Sequence, residues 1–355
     1  MQTSTESNQG EEAPVRGPTR AQQVRAVRSA ARAAAATPGV AAPRQAVLNI
    51  RTVQANGLTW VDIQRPGRAE IEWLRKHYGF HPLHLEDVIS KIQRPKLDER
   101  DDYIFLVLHW PVYNKITRLT TASEVDIFIG KDYLITIHAG HLRPLLRYFQ
   151  QCVDDEEIRN RAMRRSSGYL LYRILDKLID YCFAPLNKID QNIETIEDMI
   201  FADNVRQTVY EISLIRRDII AFRRVIKPQI GVVASLERRE SALAPLLGED
   251  LGEYFSDLSD HMAKIWDTLE DDKDVIEGLS DTNNSLTNTR INDVIKVLTI
   301  LSVVLLPLTL LSSIYGMNFE NLPLSTHPAG FWIALVAMGI IAAAMLAYFK
   351  FRRWI

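Results

Sequence analysis

Cysteine is scarce: among 355 residues only Cys152 and Cys182 carry a thiol. Their spacing fits neither a disulfide framework nor a metal site, so both are expected to be free thiols in a reducing compartment. No GxGxxG and no Walker loop occurs, which excludes the usual nucleotide sites and with them ATP-driven pumping. A nucleophile elbow and a His/Cys cluster are also missing, so the chain is expected not to be an enzyme. The N-terminus lacks the apolar core of a secretory signal. Residues 1–45, rich in Ala, Arg, Ser, Thr and Gln, are expected to form a disordered tail. Glu6, Glu11 and Glu12 count against a mitochondrial leader, because such leaders avoid acids. Net charge is small as well: 42 basic residues against 44 acidic ones leave −2, so overall charge selects no partner, nucleic acid included.

Charge is missing locally too. From Val297 to Phe319 there is no charged residue. At about 1.5 Å per residue such a run crosses roughly 30 Å of hydrocarbon. It is not uniformly apolar. Asn292, Thr299, Ser302, Thr309 and Ser313 recur at helical spacings and share one face. Such a stripe either bonds to neighbouring helices and its own backbone or lines water. A second uncharged run, Phe331–Phe349, has no stripe and suits a lipid-facing helix. The intervening loop, Tyr315–Ala329, contains no Lys or Arg. Arg290 and Lys296 precede the first span, and Lys350, Arg352 and Arg353 follow the second. Both ends are therefore expected in the cytoplasm, with the loop outside and the protein multi-pass in the plasma (inner) membrane.

Upstream, short runs rich in β-branched and aromatic residues alternate with short helical stretches. Ala46–Val53 and Leu58–Ile63 read as strands joined by an Asn56-Gly57 turn. Tyr103–Trp110, Val112–Arg118, Glu124–Ile129 and Tyr133–His138 read as four more, giving an α/β layered domain. Gly168–Phe201 and a second helix through Arg239, started by Asp203 or Asn204 as N-cap, form a helical hairpin. A third helix is expected from near Gly248. Its Leu251, Phe255, Leu258, Met262, Ile265, Leu269, Ile276, Leu279 and Leu286 make a coiled-coil-like seam, interrupted by Asp272, Asn283 and Arg290. Without a break it continues into the membrane, with Pro307 distorting it there. Between Glu249 and Asp281 it carries twelve acids against Lys264 and Lys273, a solvated face or a concentrator of cations. The expected division is a 1–45 tail, a 46–165 α/β domain, a 166–247 hairpin and a 248–314 stalk and pore helix. A 315–329 loop, a 330–350 second span and a 351–355 basic tail follow.

The stretch Tyr315-Gly316-Met317-Asn318-Phe319-Glu320-Asn321-Leu322-Pro323, between two C-terminal spans, resembles the signature of the CorA family of magnesium channels, the Gly-Met-Asn superfamily. So does the LTILSVVLLPLTLLSSIYGMN run leading into it. His81-Pro82-Leu83-His84-Leu85-Glu86-Asp87-Val88, followed by Gln93-Arg94-Pro95-Lys96, is similar to a second, cytosolic pattern of that family. The resemblance implies a homopentamer with a cytosolic funnel whose stalk is the long helix. It implies Mg²⁺ influx, with Co²⁺ also admitted, and a filter at Gly316, Met317, Asn318 and Glu320. It makes Asn292, Ile295, Leu298, Thr299, Ser302, Leu306, Thr309 and Ser313 pore-lining. Asp87 and Asp257 match carboxylates that hold regulatory Mg²⁺ between subunits, with Glu86 and Asp176 at a second site nearby.

Physical chemistry is consistent with those roles. Mg²⁺ gives up water reluctantly, so neutral Asn carboxamides that bond to its hydration shell suit conduction. Gly316 is expected to let the backbone turn toward the pore axis. Two alternatives stay open: a zinc transporter of the same fold, and a two-span coiled-coil signalling receptor.

Overall fold

The computed structural model describes residues 48–90, 93–202, 205–317, 327–352 and 354. Asn318 and Glu320 of the expected filter, the 1–45 tail and the Asp203/Asn204 cap lie outside them. Six strands, β1 (Ile50–Ala55), β2 (Leu58–Gln64), β3 (Lys96–Glu99), β4 (Ile104–Asn114), β5 (Leu119–Ile129) and β6 (Tyr133–His138), form one sheet. Its order is β1-β2-β6-β5-β4-β3, antiparallel except for the parallel β2–β6 pair. The β1–β2 hairpin turns on Asn56 and Gly57, both at positive φ (54° and 79°), as the Asn-Gly pair predicts.

Period-two alternation gives the sheet two apolar faces. Val61, Ile63, Phe105, Val107, Phe128, Ile135 and Ile137 pack beneath α1 (Arg68–Tyr78) and α2 (Pro82–Ile89). Trp60, Leu106, Leu108, Trp110, Val125 and Ile127 face the helical layer instead. That layer contains α3 (Arg143–Asp154), α4 (Glu156–Ala162), α5 (Ser167–Phe201), α6 (Val205–Arg238), α7 (Glu240–Leu247) and α8 (Gly252–Tyr315). The result is a helix–sheet–helix sandwich with an antiparallel α5–α6 hairpin against which α8 lies. A last helix, α9 (Gly330–Phe351), packs on the end of α8.

Three local expectations are corrected. The strands expected at Tyr103–Trp110 and Val112–Arg118 are one strand running through Pro111. The His109 N–H points off the sheet edge to Gln229 Oε1 (2.9 Å). Pro111, two residues on, points the same way, so its missing N–H costs no ladder bond. The long helix starts at Gly252, not near Gly248. Gly248 sits at φ 86° and closes α7 by donating its N–H to Ala244 O at 2.8 Å. Strand β3 was not expected at all. Its Lys-Leu-Asp-Glu sequence lacks an apolar run, and it forms by pairing on β4.

Both cysteines are free and buried. Burial pushes the Cys152 thiol up to about 11, so at neutral pH it stays a protonated apolar group.

Candidate metal centre and pore-lining face

Helices α5 and α8 pack side by side, and this sets Asp176 beside Asp257. One turn beyond Asp257 on α8, His261 joins them. One ligand atom from each of the three falls within 4.8 Å of the others, the group close enough to hold a metal among the described residues. His261 Nε2 lies 3.9 Å from Asp257 Oδ1, and its Nδ1 is buried without a hydrogen-bond partner. Lys177 partly offsets Asp176 (3.4 Å) and also reaches Asp180 (3.2 Å). Burial, and after it the charges of Asp176 and Asp257, push the Tyr172 phenol above its ordinary value. The centre is thus electronegative and lined by two carboxylates and an imidazole, a donor set that accepts divalent cations.

The other two carboxylates of the expected set lie elsewhere in the chain. Asp87 on α2 is paired with Lys96 (2.9 Å), which also binds Asp98, and Glu86 is exposed. Within one copy Asp176 therefore joins Asp257, while Glu86 and Asp87 stand apart from that group. His261 was not anticipated. Its i+4 spacing from Asp257 was the available signal.

Past the centre, α8 runs unbroken for 64 residues, through Pro307, to Tyr315. Among the described residues, the C-terminal part of α8 and α9 are the two helical stretches long and apolar enough to cross a membrane. Along α8 the covered side is Ile300, at 9% exposure, with Val304, Pro307, Leu308 and Leu311 half-buried. At 3.6 residues per turn, the expected lining set lies roughly half a turn away from that side. Asn292, Ile295, Leu298, Ser302, Leu306, Thr309 and Ser313 are exposed, and Thr299 at the border is half-buried. The hydroxyls of Thr299, Ser302 and Thr309 donate to Ile295 O, Leu298 O and Leu306 O at 2.7–2.9 Å. Each hydroxyl oxygen keeps acceptor capacity outward.

Gly316 stays in the helical basin at the end of α8. Its φ of −85° and ψ of −5° are right-handed helical, and its N–H donates to Ser312 O and Ser313 O. The chain does not use a glycine-only conformation there. Met317 is exposed and donates its N–H to Ile314 O.

An α/β head carried on one helix that runs on into an apolar two-helix end is the architecture of a two-span membrane protein. The chain belongs to the CorA-like Mg2+ transporter family, whose sequence profile matches residues 55–353. It is 33% identical over 307 residues to the cobalt/magnesium transport protein CorA of Thermotoga maritima, covering 84% of this chain and 83% of that one. The solved CorA magnesium transporter of Methanocaldococcus jannaschii shares the fold, with a TM-score of 0.75 at 24% identity over 86% of this chain and 94% of that one. A more distant relative is the zinc transport protein ZntB of Yersinia pseudotuberculosis, 19% identical over 83% of this chain and 88% of that one.

Proposed function

We propose that the chain is one subunit of a channel that admits Mg²⁺, and Co²⁺ with it, down the electrochemical gradient. The observation that carries this reading is the polar stripe of α8 on the side turned away from α9. Two helices cannot enclose a pore, so the stripe lines one only in a symmetric ring with α8 innermost. Family membership suggests five copies. Ile295, Leu298 and Leu306 then form apolar collars that close by dewetting, separated by Thr299, Ser302 and Thr309. With both ends cytoplasmic, a membrane potential supplies roughly 4.6 kcal/mol per divalent ion per 100 mV, ample for influx. The filter is assigned to Gly316, Met317 and Asn318, with Glu320 adding negative potential at the mouth. A ring of Asn318 amides bonds to the water shell rather than stripping it.

Regulation is assigned to the carboxylates. Asp176 and Asp257 hold two negative charges at the α5–α8 contact, with His261 beside them, and Asp87 and Glu86 present more from the head. Between neighbouring copies such groups repel unless a cation lies among them. A bound divalent ion supplies the neutralising charge, so low internal Mg²⁺ loosens the ring and favours opening.

Uptake into vesicles under an imposed inside-negative potential tests the filter. Asn318→Ala is expected to lose selective Mg²⁺ uptake, and uptake equal to wild type would sink the assignment. A zinc reading has one observation in its favour, the imidazole of His261, which suits Zn²⁺ and Co²⁺ better than Mg²⁺. Uptake of Zn²⁺ exceeding Mg²⁺ in the same vesicles would select it.

A further inference from the structure

The α5–α8 seam carries an acid where its register otherwise places apolar side chains. Phe255, Leu258, Met262, Ile265, Leu269, Asp272 and Ile276 succeed one another at steps of three and four along α8, all buried. Asp272 is only 7% exposed, and its Oδ2 is buried with no donor. The group that reaches it is a second acid, Asp190 of α5, at hydrogen-bonding range between the buried Ile189 and Ile193. Asp271 on α8 adds a further negative charge. Three cations near this part of α8 are engaged with other acids: Arg223 of α6 with Glu270, Arg216 of α6 with Glu277, and Lys273 with Asp274 and Glu277. Two carboxylates this close cannot both stay ionised in an apolar seam without strong repulsion.

We propose that Asp190 and Asp272 form a proton-binding site, one proton held between the two carboxyls, which fastens α5 to α8 when occupied and drives them apart when empty. Burial, then the facing Asp190 carboxyl and the charge of Asp271, push the Asp272 carboxyl from 3.8 up to about 7. The folded chain keeps a proton that the unfolded chain has released. The stabilisation is full below 3.8, is lost as pH rises toward about 7, and is gone above it. The pair lies about 22 Å along α8 from Asp257, so it is distinct from the metal centre. Because α8 continues from this pair into the apolar run, the site makes the packing of the long helix sensitive to pH.

Full-length protein in detergent with a chelator, followed by infrared difference spectroscopy and thermal unfolding from about pH 5.5 to 8.5, tests this. In wild type a protonated-carboxyl band is expected at the acid end and disappears near neutrality. The unfolding midpoint drops by several degrees over the same window. Asp272→Asn, whose amide donates to Asp190, lacks the band and has a flat midpoint, as does the apolar-seam variant Asp272→Leu. Identical pH profiles in wild type and both variants overturn the proposal. So does Mg²⁺ at the alkaline end stabilising wild type more than Asp272→Asn, since the occupant is then a metal ion rather than a proton.

Discussion

The head and the C-terminal helices dispose of their apolar residues in opposite ways. Trp60, Trp110, Phe105, Phe128 and Phe149 are fully buried within a single copy. Leu298, Leu301, Leu306 and Leu310 on α8, with Phe331, Trp332, Val336 and Ile340 on α9, are exposed. A soluble monomer rarely exposes a continuous apolar surface of that extent. The head is therefore closed by its own chain, whereas the end leaves its apolar surface to be covered by lipid and, under the proposed function, by other copies. Substitutions in the head should register in unfolding, and those on the stripe should register in transport.

Trp60→Ala presses hardest on that division. The side chain is 0% exposed, packs edge-on against Phe149 at 4.9 Å and donates Nε1–H to Thr136 Oγ1 at 3.2 Å. Removing it leaves a cavity and takes one donor from the Thr136 oxygen, whose own O–H still bonds to Asp62, a loss of roughly 3–5 kcal/mol. Denaturant titration of the purified full chain measures it. A loss under about 1 kcal/mol would mean that the head is not closed by its own core.

Asp62→Asn comes next. Asp62 accepts from Arg51 (2.6 Å) and Thr136 (2.9 Å) and pairs with His138 (3.0 Å), all beneath the helical layer. Burial alone would raise its carboxyl. The hydrogen bond and charge of His138, with Arg51 and Gln64, hold it below 3.8. That stabilisation is present above 3.8 and is lost as pH falls through the lowered value, the reverse of Asp272. The amide should cost about 1–3 kcal/mol at neutral pH and flatten the acid limb of the unfolding profile. An acid limb as steep as in wild type would assign the sensitivity to another carboxylate.

What could be read from the chain alone follows the same division. The three- and four-residue apolar steps of α5 and of α8 place those helices, because burial inside one copy selects that period. Strand β3 and the passage of β4 through Pro111 depend on which sheet edge is open, which no local pattern encodes. At the candidate metal centre, Asp176 and Asp257 were recognisable through family resemblance. His261 was missed, although its i+4 spacing was in view. Asp272 was visible as a break in the seam, but its partner Asp190 lies on another helix, and only folding brings them together. The stripe was legible as a pattern because its polar residues recur at helical spacing inside an uncharged run.

Asp257→Ala sharpens the boundary between the two regions, since Asp257 belongs to the helical layer yet its side chain is 49% exposed. Without metal the variant should unfold like wild type. Mg²⁺ at about ten times its dissociation constant should stabilise wild type by about 1.4 kcal/mol and the variant by much less. In patch recordings the variant's current should be less sensitive to internal Mg²⁺. Inhibition unchanged from wild type would remove Asp257 from the regulatory set.

Leu306→Ser should likewise have little effect on folding and for that reason separates the regions cleanly. Leu306 is 67% exposed on the side of α8 turned away from α9. Shortening it removes little packing within one copy, so unfolding in detergent should shift by less than about 0.5 kcal/mol. If Leu306 is an apolar collar in a ring, a hydroxyl there wets the constriction and resting Mg²⁺ leak into vesicles should rise. A side chain facing lipid instead would leave the leak unchanged, because a lone serine there bonds back to its own helix, as Ser302 does to Leu298 O. Stability lost without a change in leak would place Leu306 in a helix contact and move the pore to another face of α8.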